Sequence, residues 1–169
     1  MNITAMYFSG TGTTKKVTAA IADELTEIKI SQDKTAADEN PGSIKAGIKP
    51  WQRAEDVDFT PPAARREIYR FTPDDLVVFG VPVIAGRVPN VLLKFLDTLQ
   101  GGGALAVPVV LYGNRNFDDA LIELRNILQD RGFYAIGAAA FIGEHSFSRI
   151  LAAGRPDSSD MELSRGFSQ

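Results

Sequence analysis

The sequence predicts an α/β protein in which a parallel sheet of five strands carries helices on both faces. Short apolar segments alternate with amphipathic helical segments along the whole chain, and this alternation is typical of parallel strands joined by crossover helices. The second observation is length, because 169 residues correspond to about one domain. We therefore expect a single domain over residues 1–169.

The first strand and the first helix are the clearest elements. Residues 3–8 are apolar and β-prone, which predicts a buried strand, and residues 13–25 repeat apolar positions at helical spacing. Periodicity leaves the second strand open between residues 28–30 and 57–59. The segment 31–55 is polar, contains prolines and glycines and has no sustained period, so we expect a loop excursion there.

The rest of the chain continues the alternation. Continuous apolar runs predict strands covered on both faces, whereas one-sided apolar stripes that end at glycine predict helices. Strands are expected at residues 76–83, 107–112 and 134–142, and helices at residues 61–69, 89–99, 118–131 and 157–167.

Composition excludes several kinds of site. The chain has no cysteine, so disulfides, thiolate zinc sites and cysteine-ligated iron–sulfur clusters are ruled out, and its one histidine, His145, cannot form a histidine cluster. We predict no metal site. A formal net charge of -3 gives no basic field for nucleic acid. No apolar run is long enough to span a membrane, and no export-signal pattern is visible, so we expect a cytoplasmic protein without membrane insertion.

The loop after the first strand, residues 9–14, combines glycines with hydroxyls. Gly10 and Gly12 allow a tight turn and a close approach to a ligand. The hydroxyl side chains are those of Ser9, Thr11, Thr13 and Thr14. The following helix adds free N–H groups and a dipole that favours an anion. Simple helix capping needs fewer groups, so the loop predicts a phosphate site at the carboxyl edge of the sheet, where ligands of such folds bind.

Other phosphate-binding patterns do not fit this loop. It lacks the Gly-Lys-Ser/Thr string of a P-loop, and Lys15 stands where the dinucleotide-binding fingerprint has its third glycine. The end of the first strand also lacks the acidic pair of a response-regulator receiver domain.

The loop resembles the FMN-phosphate loop of flavodoxins, whose pattern is Ser/Thr-x-Thr-Gly-x-Thr, and Ser9, Thr11, Gly12 and Thr14 match that pattern. With the stretches at residues 80–89, 112–121, 143–148 and 153–157, the chain is most similar to the flavodoxin-like domain of flavodoxin–ferredoxin fusion proteins. The resemblance implies a flavodoxin-like three-layer sandwich with strand order 2-1-3-4-5, and it implies FMN as the cofactor.

The resemblance also assigns roles to the loops after the third and fourth strands. The isoalloxazine ring of FMN would lie beside residues 83–87, with a backbone group of Gly86 near flavin N5. Ile84 stands where the family has a tyrosine, so this wall would lack ring stacking. Two interpretations of Arg87 stay open, a contact with the ring and a solvated position on the surface. The implied cofactor contacts are Ser9, Gly10, Thr11, Gly12, Thr13, Thr14, Pro82, Val83, Ile84, Ala85, Gly86, Arg87, Gly113, Asn114, Arg115, Phe117 and Asp119.

Four side chains have alternative interpretations. Phe117 would stack on the ring and Asn114 would bind its pyrimidine edge, or else Phe117 packs on the next helix and Asn114 forms a turn. His145, after the fifth strand, is an acid–base group or, as we favour, a hydrogen-bonded loop histidine. Trp51 covers the flavin, docks a partner or buries its own loop.

We expect an electron carrier that exchanges electrons with an iron–sulfur or other redox partner, such as a ferredoxin-like domain in the same or another chain. Because the chain has no cysteine, the partner would hold the cluster. Two alternatives stay open. An FMN-dependent NAD(P)H:quinone or flavin reductase would use residues 31–55 as a second substrate pocket. A cofactor-free binding module with this fold would account for Ile84.

Overall fold

The computed structural model describes residues 1–39, 50–148 and 150–169, and its described strands form one parallel sheet. The strands are β1 (Asn2–Tyr7), β2 (Gln52–Arg53), β3 (Val57–Asp58), β4 (Asp75–Pro82), β5 (Leu105–Tyr112), β6 (Tyr134–Ala135) and β7 (Ala139–Ile142). The helices are α1 (Thr13–Glu39), α2 (Asn90–Leu96), α3 (Ala120–Asp130) and α4 (Ser158–Gly166), with a short 3-10 helix at Ala64–Arg66.

The sheet confirms the predicted strand order. Its order is β2-β1-β4-β5-β6, with β3 also paired to β1 and β7 also paired to β5. Each outer position is therefore filled by two short strands in line, β2 with β3 and β6 with β7. Counted by position, this is the five-position order 2-1-3-4-5.

Alternate residues of the central strands supply two cores, one on each face of the sheet. In β4, Val77 and Phe79 belong to the cluster under α2 and α3, whereas Val78 belongs to the cluster under α1 and α4. Both faces of β4 and β5 are buried, which explains their continuous apolar sequence. The helices that cover the two faces thus fix where each strand ends.

Helix α1 is much longer than predicted, and this corrects two expectations. It runs over Thr13–Glu39, so residues 28–30 are helical and the second sheet position is filled at residues 52–53 and 57–58. The predicted loop at residues 31–55 is wrong over 31–39 and 52–53, and residues 40–49 lie outside the described residues. Residues 26–39 contain no Gly or Pro, so helix propensity carries the helix past the end of its apolar stripe.

The strands and helices that follow β4 lie close to their predicted positions. The helix expected at residues 61–69 is only the 3-10 turn at Ala64–Arg66, and the fifth strand is split around Gly137. Asp157 caps α4 in a capping box, accepting from the N–H of Asp160 while the Asp160 carboxylate accepts from the N–H of Asp157. Within the described part of the chain, no helix is both long and apolar enough to cross a membrane.

Trp51 lies at the amino end of the sheet. It precedes β2, whose Gln52 pairs with Asn2 at the start of β1, and its half-buried ring packs against the apolar cluster under α1. This position argues against Trp51 covering the predicted flavin site, because the predicted phosphate loop is at the opposite end of β1.

Candidate functional site

The candidate site lies where the carboxyl ends of β1, β4, β5 and β7 meet. Strand order reverses between β1 and β4, since the chain leaves β1 toward one edge of the sheet and returns to continue toward the other. Loops that leave neighbouring strands in opposite directions open a crevice at such a point, and doubly wound folds bind their ligands there. The predicted loops at residues 9–14, 83–87 and 113–119 all border this crevice.

The backbone of the β1–α1 loop presents a row of free donors. Among the described residues, none accepts a hydrogen bond from the N–H groups of residues 10–14. The next two N–H groups are paired, because that of Lys15 donates to Ser9 Oγ at 3.0 Å and that of Lys16 donates to the Gly12 carbonyl at 3.1 Å. Five consecutive free N–H groups at a helix N-terminus are the arrangement that binds phosphate or another anion.

The side chains of the loop complete this donor set. The Thr11 and Thr13 hydroxyls are 3.2 Å apart, and Thr14 is almost completely buried at the base of the loop. Lys15 extends over the ring of Tyr7, and Lys16 Nζ donates to the Pro156 carbonyl at 2.9 Å. Both lysines are engaged elsewhere, so the loop offers an anion neutral N–H and O–H donors instead of an ammonium group.

The two glycines of this loop should respond differently to the same substitution. A Cβ at Gly10 or at Gly12 meets nothing within 4 Å, but Gly12 has φ +86°, a left-handed conformation that alanine strains to adopt. We expect Gly12→Ala to lower the free energy of unfolding by about 1–2 kcal/mol and Gly10→Ala to change it by less than about 0.5 kcal/mol. Urea unfolding of both variants measures the difference, and equal stabilities would contradict the conformational argument.

The loop that follows β4 contains a tight turn with two central residues. The N–H of Ile84 donates to the Arg87 carbonyl at 3.0 Å and the N–H of Arg87 donates back at 3.1 Å. Ala85 and Gly86 between them have φ of 51° and 74°, which defines a type I′ turn. A Cβ at Gly86 would lie 2.3 Å from Asp118 Oδ2, so this turn packs directly against the β5–α3 loop.

Arg87 is exposed and is not among the residues that line either cleft, which agrees with the surface interpretation. Its Nη2 and Nε donate to Glu123 of α3 at 2.6 and 3.0 Å, and the N–H of Val88 donates to the same carboxylate at 2.8 Å. These bonds lower the pKa of Glu123, chiefly through the Arg87 guanidinium, and raise that of Arg87. Arg87 therefore anchors the turn to α3 as a surface arginine in an ion pair, and its contact with the ring stays a prediction.

The Arg87–Glu123 pair should make stability depend on pH. A carboxylate whose pKa is lowered by folding stabilises the protein above its ordinary value of about 4.3, and this contribution is lost as the pH falls through the lowered pKa. Because Arg87 is more than half exposed, we expect Glu123→Gln to cost only about 1 kcal/mol at pH 7. The difference from the unsubstituted protein should shrink below about pH 4. A difference that stays constant down to pH 3 in urea unfolding would contradict the pairing.

Two adjoining clefts open between these loops. The first, about 180 Å³, lies between the β1–α1 loop and the ends of β4 and β5. The second, about 310 Å³, lies between the Ile84–Arg87 turn and the β5–α3 loop. Both clefts are lined by Val83, Tyr112 and Gly113, so they lie side by side and share a wall, and the two together are called the groove. Their combined size is within the range of small-molecule sites.

Most of the predicted contact residues line this groove. The first cleft contains Gly10, Thr11, Thr13, Thr14, Pro82, Val83, Ile84 and Gly113, and the second contains Val83, Ala85, Gly86, Gly113 and Arg115. Ser9 supports the loop by accepting the hydrogen bond from Lys15. Gly12 shapes the loop through its positive φ, but it is not among the residues that line either cleft.

Besides Ser9, Gly12 and Arg87, three more predicted contacts lie outside both clefts. Phe117 packs its ring against Tyr112, with the centroids 5.4 Å apart, and faces the outer side of α3. Asn114 has φ 56°, which supports the turn interpretation, and Asp119 is the N-cap residue of α3. These residues form the turn from β5 into α3, and the Asp119 side chain makes no capping hydrogen bond there.

The groove also contains residues that the sequence analysis did not select. Phe8 and Tyr112 line the first cleft. Phe8 directly follows β1 and Tyr112 is the last residue of β5, so both lie at the carboxyl edge of the sheet. The sequence signal that could have identified them is an aromatic residue at the carboxyl end of a predicted strand. Glu144, Ser146 and His145 come from the loop after β7, and nothing in their spacing indicates that this loop folds back over the edge of the sheet.

The chain was compared with known proteins. No protein-family model matches it, and no curated protein sequence matches it. Solved structures do match, each over 99% of this chain. An apo NADH:FMN oxidoreductase (EMOB) is 18% identical with a TM-score of 0.60 over 86% of its own chain. A flavodoxin from the domain Archaea is 14% identical with a TM-score of 0.57 over 94% of its chain. The flavodoxin of Streptococcus pneumonia TIGR4 is 14% identical with a TM-score of 0.54 over 95% of its chain.

The chain has a flavodoxin-like fold. The strand order and these whole-chain superpositions agree on it. At such low identities the similarity concerns the fold, and the function of this chain has to be argued from its own groove.

Proposed function

We propose that the chain binds FMN noncovalently in this groove and carries electrons to or from a redox partner. The observation that supports this most strongly is the row of five free N–H groups at residues 10–14, which lies at the switch point of a flavodoxin-like sheet. A helix N-terminus with free donors favours a phosphate over a neutral group, because its partial positive charge is attracted to the anion.

The residues present fit the two ends of FMN. The first cleft offers donors for a phosphate and for a polar ribityl chain, whereas the second is lined by the Ala85–Gly86 turn, the β5–α3 loop and the Tyr112 ring that both clefts share. Val83, Tyr112 and Gly113 belong to both clefts, so one ligand can occupy the whole groove. When bound, FMN supplies the redox chemistry, and the protein orients the ring and sets its electrostatic environment.

Electron exchange with a partner requires that the ring lie near the surface. Ile84 at the rim of the first cleft is 54% exposed, and Phe147, in the loop after β7, is 93% exposed. An apolar rim of this kind favours close approach of another protein over tight enclosure of the ligand. As proposed partner we retain an iron–sulfur domain of the ferredoxin type, in the same or another chain, within the cytoplasm.

The two alternative functions receive less support. The reductase alternative needed residues 31–55 beside the flavin, but residues 31–39 continue α1 away from the groove and residues 52–53 pair with the start of β1. The cofactor-free alternative depended on Ile84. It leaves the free N–H groups of residues 10–14 without a purpose, and free backbone donors at a helix end are normally satisfied by a cap, by water or by a ligand.

Titration of the protein with FMN, beside riboflavin, tests the proposed function. The visible absorption bands of FMN should change saturably, whereas riboflavin, which lacks the phosphate, should cause a much weaker change at equal concentration. No change with either ligand would contradict FMN binding and would favour the cofactor-free module. Reduced protein that then passes electrons to an oxidised ferredoxin, without NAD(P)H, would separate the carrier from the reductase.

A further inference from the structure

His145 is held in a fixed place beside the second cleft. Its loop leaves β7 and folds back on itself, since the N–H of Glu144 donates to the Arg155 carbonyl at 2.9 Å and the N–H of His145 donates to the Leu151 carbonyl at 3.3 Å. The base of the loop is anchored further by the ion pair between Arg155 and Asp160, which lowers the pKa of the Asp160 carboxyl. The backbone that carries His145 is therefore tied down on both sides.

The imidazole packs directly against the end of β5. A Cβ at Gly113 would lie 2.6 Å from His145 Cδ2 and 2.9 Å from His145 Cα, so only glycine at position 113 allows this approach. The ring of Phe147 lies edge-on to the imidazole, with the centroids 6.3 Å apart. The imidazole, placed between these neighbours, lines the second cleft.

One ring nitrogen is already used. The N–H of Phe147 donates to His145 Nδ1 at 3.1 Å, and this bond bears out the interpretation of a hydrogen-bonded loop histidine. A neutral imidazole has one acceptor and one donor nitrogen, so an accepting Nδ1 places the proton on Nε2. Among the described residues, no group accepts a hydrogen bond from that Nε2–H.

The polar side chains that the β5–α3 loop brings to the second cleft do not offer an equally fixed donor. Asn116 and Asp118 are bonded to each other, through Asn116 Nδ2 to Asp118 Oδ1 and the N–H of Asp118 to Asn116 Oδ1. Arg115 is exposed and long, and the described residues give it no fixed position. Within the described residues, His145 and Tyr112 are the side chains of this cleft that combine a packed ring with an unpartnered donor, and His145 is the one that the loop after β7 supplies.

We propose that His145 is a ligand-binding residue whose Nε2–H donates to a carbonyl oxygen or ring nitrogen of the isoalloxazine. This inference rests on the proposed function, and it assigns the loop after β7 to recognition of the ring in addition to the loops after β4 and β5. It also explains Gly113, since a side chain there would displace the imidazole from the cleft. The contact is with the ring, so its contribution should not depend on the phosphate.

The sole histidine makes the test direct, because ¹⁵N-histidine labelling gives the signals of one imidazole only. With its imidazole neutral, the free protein should show an unprotonated Nδ1 and a protonated Nε2, and FMN should shift both signals. His145→Leu should weaken binding of FMN and of riboflavin by the same factor, about 3- to 10-fold, as expected for one neutral hydrogen bond. His145→Gln, whose amide nitrogen can donate from nearly the same place, should recover most of this loss.

The outcomes separate this inference from the proposed function. A protonated Nδ1 in the free protein would overturn the inference by itself. FMN binding that leaves the histidine signals in place, together with equal affinities of the unsubstituted protein and His145→Leu, would overturn the inference and leave FMN binding intact. If the unsubstituted protein binds no FMN, both fail.

Discussion

Removing the hydroxyls of Thr11 and Thr14 should weaken FMN binding by about 1.5–3 kcal/mol for each hydrogen bond to the phosphate that is lost. The appropriate variant is Thr11→Ala with Thr14→Val. Thr14 is 1% exposed and its methyl group packs near Gly80, so valine keeps the packing and removes only the hydroxyl. Dissociation constants from flavin fluorescence measure the effect.

Two controls make this result specific. Riboflavin has no phosphate, so its weaker binding should be unchanged in the double variant. Thr98→Ala removes a threonine hydroxyl at the surface, where it donates to the Phe95 carbonyl at the end of α2, and should leave FMN affinity unchanged. If the double variant binds FMN as tightly as the unsubstituted protein does, the hydroxyls do not contact the phosphate.

Replacing Gly80 should have the largest effect on stability. Gly80 lies in β4 under α1, and a Cβ there would be 2.0 Å from Thr18 Oγ1 and 3.0 Å from the Thr14 methyl group. Neither side chain can give way, because both are buried on the helix face that packs on the sheet. We expect Gly80→Ala to lower the free energy of unfolding by about 2–3 kcal/mol and to weaken FMN binding, because α1 carries the phosphate loop.

A second substitution should relieve this clash. Thr18 Oγ1 is buried and has no hydrogen-bond partner among the described residues, so its removal sacrifices no bond there. Gly80→Ala with Thr18→Ala removes the 2.0 Å contact and should recover part of the lost stability, leaving the new methyl 3.0 Å from the Thr14 methyl and 3.1 Å from the Thr18 Cβ. Gly166→Ala is the matched control, because a Cβ there meets nothing within 4 Å, and it should not destabilise. Additive effects of the two substitutions in urea unfolding would argue against a direct clash.

The sheet could be predicted from the sequence because its signals are local. β4 and β5 are buried on both faces and read as continuous apolar runs, and α3 shows a one-sided stripe that ends near Gly132. The end of α1 was missed since residues 26–39 lack a stripe, although they also lack helix breakers. The split outer strands were missed because each half is only two to four residues long, too short for a periodic signal.

The candidate site also contains residues that local sequence identified and residues whose surroundings depend on contacts with distant parts of the chain. The loop at residues 9–14 was selected from its own composition, and the structure brings that loop to the groove, while its phosphate role stays a prediction. The pairing of Arg87 with Glu123 was not predicted because the two residues are 36 positions apart and sequence spacing gives no sign of it. His145 was considered alone, since its approach to Gly113 depends on a loop that folds back from β7.

The most direct test of FMN binding is the set of backbone amide shifts in ¹H–¹⁵N NMR spectra as FMN is added. We expect the largest changes at the free N–H groups of residues 10–14 and at residues 85–86 and 113–116, with riboflavin shifting only the latter two sets. Large shifts at residues 10–14 with FMN but not with riboflavin would establish the phosphate site. Unmoved amides at residues 10–14 under saturating FMN would contradict it.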